Sequence, residues 1–492
     1  MGLTLAIVVV ALVLFVWEPF PVELTALLAA AMLVAGGVLT ADEGFGGFGD
    51  PAVITVGAMC VLASGLTRTG ALTGVSGRLE GLFQRSFSAG FVALLLLVGG
   101  LSAFLNNTAC VALFLPVTFH LARVSGRSVS RLLIPLSYAA ILGGTCTLVG
   151  TSTNLVVNSV LVSHHLEPFA LFEFTRLGLL SLGFGVAYLA ILGVRLLPDR
   201  RTPEPAESPQ IEVALQPHSP LVGSSLAETS LIDELGGRVV AVHHHDELVE
   251  QQVEALVLEG GDTLVLDLPQ ERLPGLRVHP ELVVLSDSAP APPRRHRMGL
   301  AIAIFLAVLA LSASEMVPLA AAATLGAVAM VASGCLTIRE AYQGLELRVL
   351  LMIGASLALG VALEKSGAAP TLARFFSLHL AAYGPQVMLA GLYLLTMLMT
   401  EVLSNTATAA LVSPVAIALA LEHQLDPRPF LVAVTFAASA SFMTPLGYQT
   451  NTMVYGSGHY RFTDFLKVGL PLNFTLWVAA STLIPRWWPV QL

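Results

Sequence analysis

The sequence predicts an all-α polytopic membrane protein, an inverted repeat with two re-entrant hairpins and two unwound helices, interrupted by a small α/β cytosolic insert. Three observations predict it. Of 492 residues, 55% are apolar and 12% charged, with a mean hydropathy of +0.79, and apolar runs long enough to cross a bilayer fill residues 3–197 and 298–487. The chain repeats itself at an offset of 297 or 298 residues. The apolar runs are broken twice by nearly the same polar phrase, LNNTA at 105–109 and LSNTA at 403–407.

Residues 3–17 (LTLAIVVVALVLFVW) have no basic stretch before them and no small-residue cleavage motif after them, so they are expected to remain as a membrane helix and not to be removed as a signal peptide. Along the chain the repeats then follow in order. WEPFP with Glu18 and Pro21 returns as SEMVP with Glu315 and Pro318, and GVLTADEGFGGF (37–48) returns as GCLTIREAYQGL (334–345). Asn107, Thr108 and Pro116 align with Asn405, Thr406 and Pro414. GTCTLVGTSTN (144–154) aligns with SFMTPLGYQTN (441–451), and EFTRLGL (173–179) with DFLKVGL (464–470). The expected domains are a first membrane repeat at 1–197, an insert with its linkers at 198–297, and a second, inverted membrane repeat at 298–492.

Loop charge sets the orientation, because Lys and Arg favour the cytoplasmic side. With both termini outside, Arg68, Arg78, Arg85, Arg123, Arg127, Arg131, Arg195, Arg200 and Arg201 fall inside, as do Arg339, Arg348, Arg461 and Lys467. Arg176, Lys365, Arg374, Arg428 and Arg486 are left outside. This solution makes both polar phrases the tips of re-entrant hairpins. Arms at about 89–105 and 109–123 enter from the cytoplasm; arms at about 384–403 and 407–420 enter from outside, and the tips meet near mid-membrane.

The insert has a different texture. Between Pro-rich linkers, β-branched runs such as RVVAVHHH and DTLVLDL alternate with turns such as EGGD. Residues 202–297 hold six Lys or Arg against sixteen Asp or Glu, so all of the chain's net charge of −9 originates there. That balance excludes nucleic acid as a partner and says nothing about a membrane substrate. His243, His244 and His245 stand in a run whose alternate side chains point to opposite faces of a strand, which favours a solvated strand end over a metal site. Cys60, Cys110, Cys146 and Cys335 lie in apolar segments without metal-ligand spacing and read as buried free thiols.

Unpaired backbone groups cost several kcal/mol each in hydrocarbon, so irregular backbone at membrane depth survives only where protein buries it or a cavity is lined by it. Broken helices offer amide groups to anions and freed carbonyls to cations. The tripeptides 106–108 and 404–406 add side-chain amides and hydroxyls to both sets, and GTSTN (150–154) and TPLGYQTN (444–451) read as unwound segments facing them. Oxygen-rich clusters of this kind suit a small hard cation, and the neighbouring N–H and O–H donors suit a sulfate or carboxylate. The plainer reading of each tripeptide is an ordinary helix N-cap. Both readings apply together at a hairpin tip. Glu401 is either a proton or ion site or a structural partner inside the second hairpin. Arg176 and Lys467 recur at matching positions and read as interfacial anchors.

The paired NNT and SNT tips, TE-x-x-SNTAT, the late GYQTN and the closing DFLKVGLPL resemble the divalent anion/sodium symporter family of the ion transporter superfamily, over both membrane halves. The resemblance implies an elevator-type fold: hairpins and unwound helices move as a transport domain against a scaffold that forms a homodimer. It implies a first sodium site at Asn106, Asn107 and Gly150, and a second at Thr400, Ser404, Asn405 and the backbone near Pro445. Substrate would touch Asn107, Thr108, Thr151, Asn405, Thr406 and Pro445. The chain departs from the family pattern in having NNT at the first tip, and no proline in GTSTN, where dicarboxylate carriers commonly have one. The insert, through SPLVG-x-x-L and GDTLVL, is similar to the TrkA C-terminal (RCK-C) domain, a regulatory module whose ligand would bind within 202–290.

The expected function is a sodium-coupled symporter in the plasma (inner) membrane that imports a divalent anion, sulfate before dicarboxylate or citrate, with proton coupling as an alternative. A channel and an anion sensor signalling through the insert are the competing classes. No nucleophile and base pair, phosphate loop or transition-metal quartet points to an enzyme.

Overall fold

A computed structural model describes residues 2–17, 20–71, 74–200, 210–216, 219–226, 238–244, 247–249, 253, 256–267, 281–286, 293–314 and 316–491. Glu18, Glu315 and His245 lie outside these residues. The chain forms two compact units: Met1–Arg201 together with Pro293–Leu492, and Thr202–Pro292.

In the first unit the amino-terminal part runs α1 (Gly2–Trp17), α2 (Val22–Ala35), α3 (Ala41–Phe45), α4 (Pro51–Arg68), α5 (Gly74–Arg85), α6 (Phe87–Ser102), α7 (Asn107–Val124), α8 (Leu133–Gly144), α9 (Ser152–Ser163) and α10 (Thr175–Leu196). The carboxy-terminal part runs α11 (Met298–Ala313), α12 (Leu319–Ala332), α13 (Ile338–Gln343), α14 (Leu347–Lys365), α15 (Ala368–Leu380), α16 (Pro385–Thr400), α17 (Asn405–Glu422), α18 (Pro427–Ser439), α19 (Gln449–Ser457) and α20 (Phe462–Trp487). The starts of α3 and α13 show how local sequence fixes both parts alike. Thr40 and Thr337 each accept the amide of a Glu three residues on, and Glu43 and Glu340 return a bond to the cap amide.

Among the described residues, seven helices are long and apolar enough to cross a membrane. Lengths explain the rest. The 16 residues of α6 and of α16 rise about 24 Å, short of a hydrocarbon core of about 30 Å, and the 12 residues of α8 and of α9 rise about 18 Å each. The outer surface matches a lipid solvent: Leu179, Ile191, Leu325 and Val328 are each more than half exposed.

The helices pack in two groups. In one, α4 packs on α12, α12 on α11, and α14 on α2; in the other, α8 packs on α6, α7, α10 and α19, and α18 on α16, α17 and α20. The long contact of α14 with α17 joins them.

The second unit contains an antiparallel sheet of β1 (Gln210–Leu215), β2 (Arg238–His244), β3 (Glu247–Val249), β4 (Thr263–Asp267) and β5 (Leu282–Ser286), in the order β3-β2-β4-β1-β5. Alternation buries one face, with Val213 and Leu215 of β1 against Leu264 and Leu266 of β4. Gly261, in the EGGD turn before β4, holds φ at +103°, which a side chain would resist.

Candidate functional site

At both hairpin tips the first residue of the polar tripeptide is the helix cap. Asn106 Oδ1 accepts the amide of Thr108 (2.9 Å), and Ser404 Oγ accepts that of Ala407 (3.3 Å). The cap reading therefore accounts for one residue in each tripeptide. The second residue, Asn107 or Asn405, opens the helix with a buried side chain, and the third pairs across the repeats. Thr108 Oγ1 lies 3.1 Å from Gln449 Oε1, and Thr406 Oγ1 lies 3.3 Å from Ser152 Oγ. Ser152 and Gln449 stand 297 residues apart, as the first residues of α9 and α19.

Between α8 and α9, and again between α18 and α19, the chain leaves the helix for residues 145–151 and 440–448. The same three residues hold each unwound segment. Asn154 Nδ2 donates to the carbonyls of Thr147 (2.7 Å) and Gly144 (3.3 Å), as Asn451 Nδ2 donates to those of Ser441 (2.9 Å) and Thr444 (3.2 Å). The Thr147 hydroxyl donates to the Ala103 carbonyl at the first tip; the Thr444 hydroxyl donates to the Glu401 carbonyl at the second (2.7 Å). The third pair is Gly150 and Gly447. A Cβ on Gly150 would stand 2.4 Å from the Gly144 carbonyl oxygen and 2.9 Å from that of Ala103; on Gly447 it would meet Ser441 Oγ at 2.1 Å and the Thr400 carbonyl oxygen at 2.6 Å. Only glycine lets hairpin and broken helix approach so closely.

Asn107 lies where these pieces converge. One end of its amide is 2.6 Å from Ser102 Oγ and 3.2 Å from the carbonyl oxygens of both Gly150 and Ala140; the other end is 2.6 Å from the Tyr448 hydroxyl. If the amide nitrogen faces the carbonyls, every bond is satisfied. If the oxygen faces them, three oxygens converge with only the Ser102 hydroxyl to donate. Tyr448 also lies 3.0 Å from Thr151 Oγ1, so one hydroxyl from the second half joins two predicted site residues of the first.

The structure thus brings Asn107, Gly150 and Thr151 into one cluster. Asn106 instead sends Nδ2 to Glu346 Oε2 (3.0 Å). Of the second predicted set, Thr400 meets Gly447, a residue outside that set, at the Thr400 carbonyl, and the Thr400 hydroxyl donates to the Ala438 carbonyl (2.6 Å). The Pro445 carbonyl accepts Thr452 Oγ1 (2.8 Å), and Asn405 Nδ2 is a buried donor with no partner among the described residues. No hydrogen bond links Ser404, Asn405 and Pro445 to one another. Glu401 is a structural tie in this geometry: its carboxylate accepts the backbone amides of Phe442, Met443 and Thr444 and the Asn473 side chain, all at 2.8–3.1 Å. It binds the second hairpin to the second unwound segment and to α20. Ala103, at the matching place, supplies no such group. Arg176 and Lys467 are exposed, and the four cysteines are free and buried.

Sequence reasoning missed Tyr448, Ser102, Glu346 and Asn473 as partners. Thr147, Thr444, Asn154 and Asn451 it quoted without assigning, although identity at the 297-residue offset marks them.

The profile of the citrate transporter family matches residues 12–424 and 402–491. The chain belongs to that family. It is a multi-pass membrane transporter and not an enzyme. An uncharacterized transporter of Synechocystis sp. is 33% identical, over 99% of this chain and 97% of its own length. A probable sodium/sulfate cotransporter of Chlamydomonas reinhardtii is 29% identical over 283 residues, 56% of this transporter and 32% of that protein. The crystal structure of the YdaH transporter from Alcanivorax borkumensis shares the fold, with a TM-score of 0.51 at 16% identity over 97% of this chain and 98% of that one.

Proposed function

We propose that the protein is a sodium-coupled symporter of the divalent anion/sodium symporter type, importing a divalent anion with sulfate favoured. The observation that carries this reading is the Asn107 cluster. With its amide oxygen turned inward, Asn107 joins the carbonyls of Gly150 and Ala140 in an oxygen set of the kind a small hard cation prefers. The unpartnered Asn405 amide and the hydroxyls of Thr108, Thr151 and Thr406 are donors suited to an anion bound between the tips. The second sodium is assigned to Thr400, Ser404, Asn405 and the backbone near Pro445.

In this reading the halves are inverted, both termini lie outside, the insert is a cytoplasmic TrkA-C-like regulatory domain, and a homodimer works by elevator-type alternating access in the plasma membrane. The family description favours a second substrate reading, a di- or tricarboxylate such as succinate or citrate, with sodium or proton coupling.

The test is uptake of labelled sulfate, succinate and citrate into proteoliposomes with a sodium gradient, a proton gradient or neither. Sodium-driven, saturable sulfate accumulation is expected, and no accumulation of any anion under sodium sinks the coupling claim. Asn107→Ala and Asn405→Ala should each abolish uptake in folded protein; near-wild-type rates in both would reduce the tips to helix caps.

A further inference from the structure

Helices α4 and α14 hold matching places in the two repeats, and the residue just before each is a carboxylate, Asp50 or Glu346. Both carboxylates reach the elements that carry the candidate site. Glu346 Oε2 accepts Asn106 Nδ2 (3.0 Å) at the first hairpin tip. Asp50 Oδ1 caps its own helix through the Ala52 amide (2.8 Å) and accepts the Ser159 hydroxyl on α9 (2.5 Å). The other end of the Asn106 amide is already committed to the Thr108 amide, so Glu346 completes the fixing of that tip. Among the described residues no Lys or Arg pairs with Glu346. Its carboxylate stands where two helices begin, its own α14 and the Asn106-capped α7, and the positive ends of both dipoles favour its charge.

The two halves do not use these carboxylates alike. Ser404, aligned with Asn106, has no side-chain partner among the described residues beyond the Ala407 amide that it caps, and Asp50 makes no bond to it. Ser159 has Gly456 at its matching position, 297 residues on, and glycine offers Glu346 no hydroxyl. One hairpin tip is therefore tied to the carboxylate of a neighbouring helix start, and the other is not. Inverted repeats that take unequal arrangements exchange them when access alternates, so a contact made by one half in one state foretells the matching contact of the other half in the opposite state.

We propose that Glu346 is a positioning residue that docks the first hairpin tip through Asn106 in the state seen here, and that Asp50 docks the second tip through Ser404 in the opposite state. The proposal rests on the inverted-repeat, alternating-access reading above. Glu346 acts through Asn106 and makes no hydrogen bond to Asn107, Gly150 or Thr151. Its bond to Asn106 involves a charged group, and losing such a bond changes the ratio of two states about tenfold or more. Engagement of Asp50 with Ser404 offsets that loss once the tips have moved.

The experiment uses the full-length chain in lipid nanodiscs, with Cys60, Cys110, Cys146 and Cys335 each replaced by Ala. Spin labels on the exposed positions Arg127→Cys, just after α7, and Arg339→Cys, on α13, report the ratio of the two distance populations. Glu346→Ala should move that ratio about tenfold or more toward the opposite state. Glu346→Gln, whose amide oxygen can still accept Asn106 Nδ2, should restore part of it. In unlabelled protein, oxidation should link Asn106→Cys to Glu346→Cys and, in a separate variant, Asp50→Cys to Ser404→Cys. Adding Glu346→Ala should speed the second link about tenfold. A ratio unmoved by Glu346→Ala, no difference between the Ala and Gln variants, or no link between positions 50 and 404 overturns the proposal. If both links form but the wild type accumulates no anion in proteoliposomes, the substrate and coupling reading fails on its own and the docking contacts stand.

Discussion

The closest backbone approach in the site gives the sharpest prediction. Gly150→Ala places a methyl 2.4 Å from the Gly144 carbonyl oxygen, about 1 Å inside ordinary contact at 3.4 Å, and 2.9 Å from that of Ala103. Both obstacles are backbone, so no rotamer relieves them. The unwound segment must move away from the end of α8 by about that 1 Å and from the hairpin tip at Ala103 by about half as much, and overpacking of this kind costs about 1–3 kcal/mol. On the proposed sodium-coupled reading, a cost that falls on the loaded state opens the Asn107 cluster and raises the half-saturating sodium concentration about 5- to 150-fold, at 1.4 kcal/mol per tenfold. If it falls on folding, the Tm falls. Gly447→Ala should act in the same direction: its methyl meets Ser441 Oγ, which can rotate, and the Thr400 carbonyl at 2.6 Å, which cannot. Gly456→Ala on α19 is the matched control, because nothing lies within 4 Å of its Cβ and Ala is the better helix former. Sodium-dependent uptake and thermal unfolding in detergent should be measured for all three. Gly150→Ala with wild-type sodium dependence and Tm would refute the proposal that this approach builds the site.

Tyr448→Phe removes the hydroxyl shared by Asn107 and Thr151 and strands a buried amide end, at about 1–3 kcal/mol. Uptake should fall at least tenfold with little change in expression, and wild-type uptake would count against the cluster. Glu401→Ala should lower the Tm steeply, since three backbone amides and the Asn473 amide lose their acceptor together; an unchanged Tm would show that the carboxylate is not a structural tie. Burial pushes the Glu340 carboxyl up, but the Thr337 amide and the Arg294 and Arg68 guanidiniums outweigh it and hold the pKa at about 2, below the ordinary 4.5. Because the folded value is depressed, its stabilisation is fully present above about 4.5 and is lost as pH falls through about 2. The Tm difference between wild type and Glu340→Gln should therefore be constant from pH 7 to pH 5 and shrink below pH 4. A difference that vanished already between pH 7 and pH 5 would refute the assignment.

What sequence alone determined here is what short-range physics controls. Gly or Pro inside otherwise helical apolar runs marked 150–154 and 444–451 as unwound segments, because neither residue favours a helix interior. A cap is satisfied within three residues, so Asn106 and Ser404 could be placed at helix starts from their neighbours. The 297-residue offset identified Gly150 with Gly447 and Asn154 with Asn451, since matching backbone environments demand matching residues.

Tertiary structure decided the partners. The Tyr448 hydroxyl reaches Asn107 across 341 positions, and Asn106 reaches Glu346 across 240. Neither encounter has a local signature, because each depends on how whole helices pack. The same packing settled Glu401. Its side chain alone is compatible with an ion site or a tie, and the three convergent amides of an unwound segment from another element, 41 to 43 residues away, make it a tie. Local spacing wrote the hairpin tips and the broken helices; the choice of which donor meets which acceptor belongs to the packed helices.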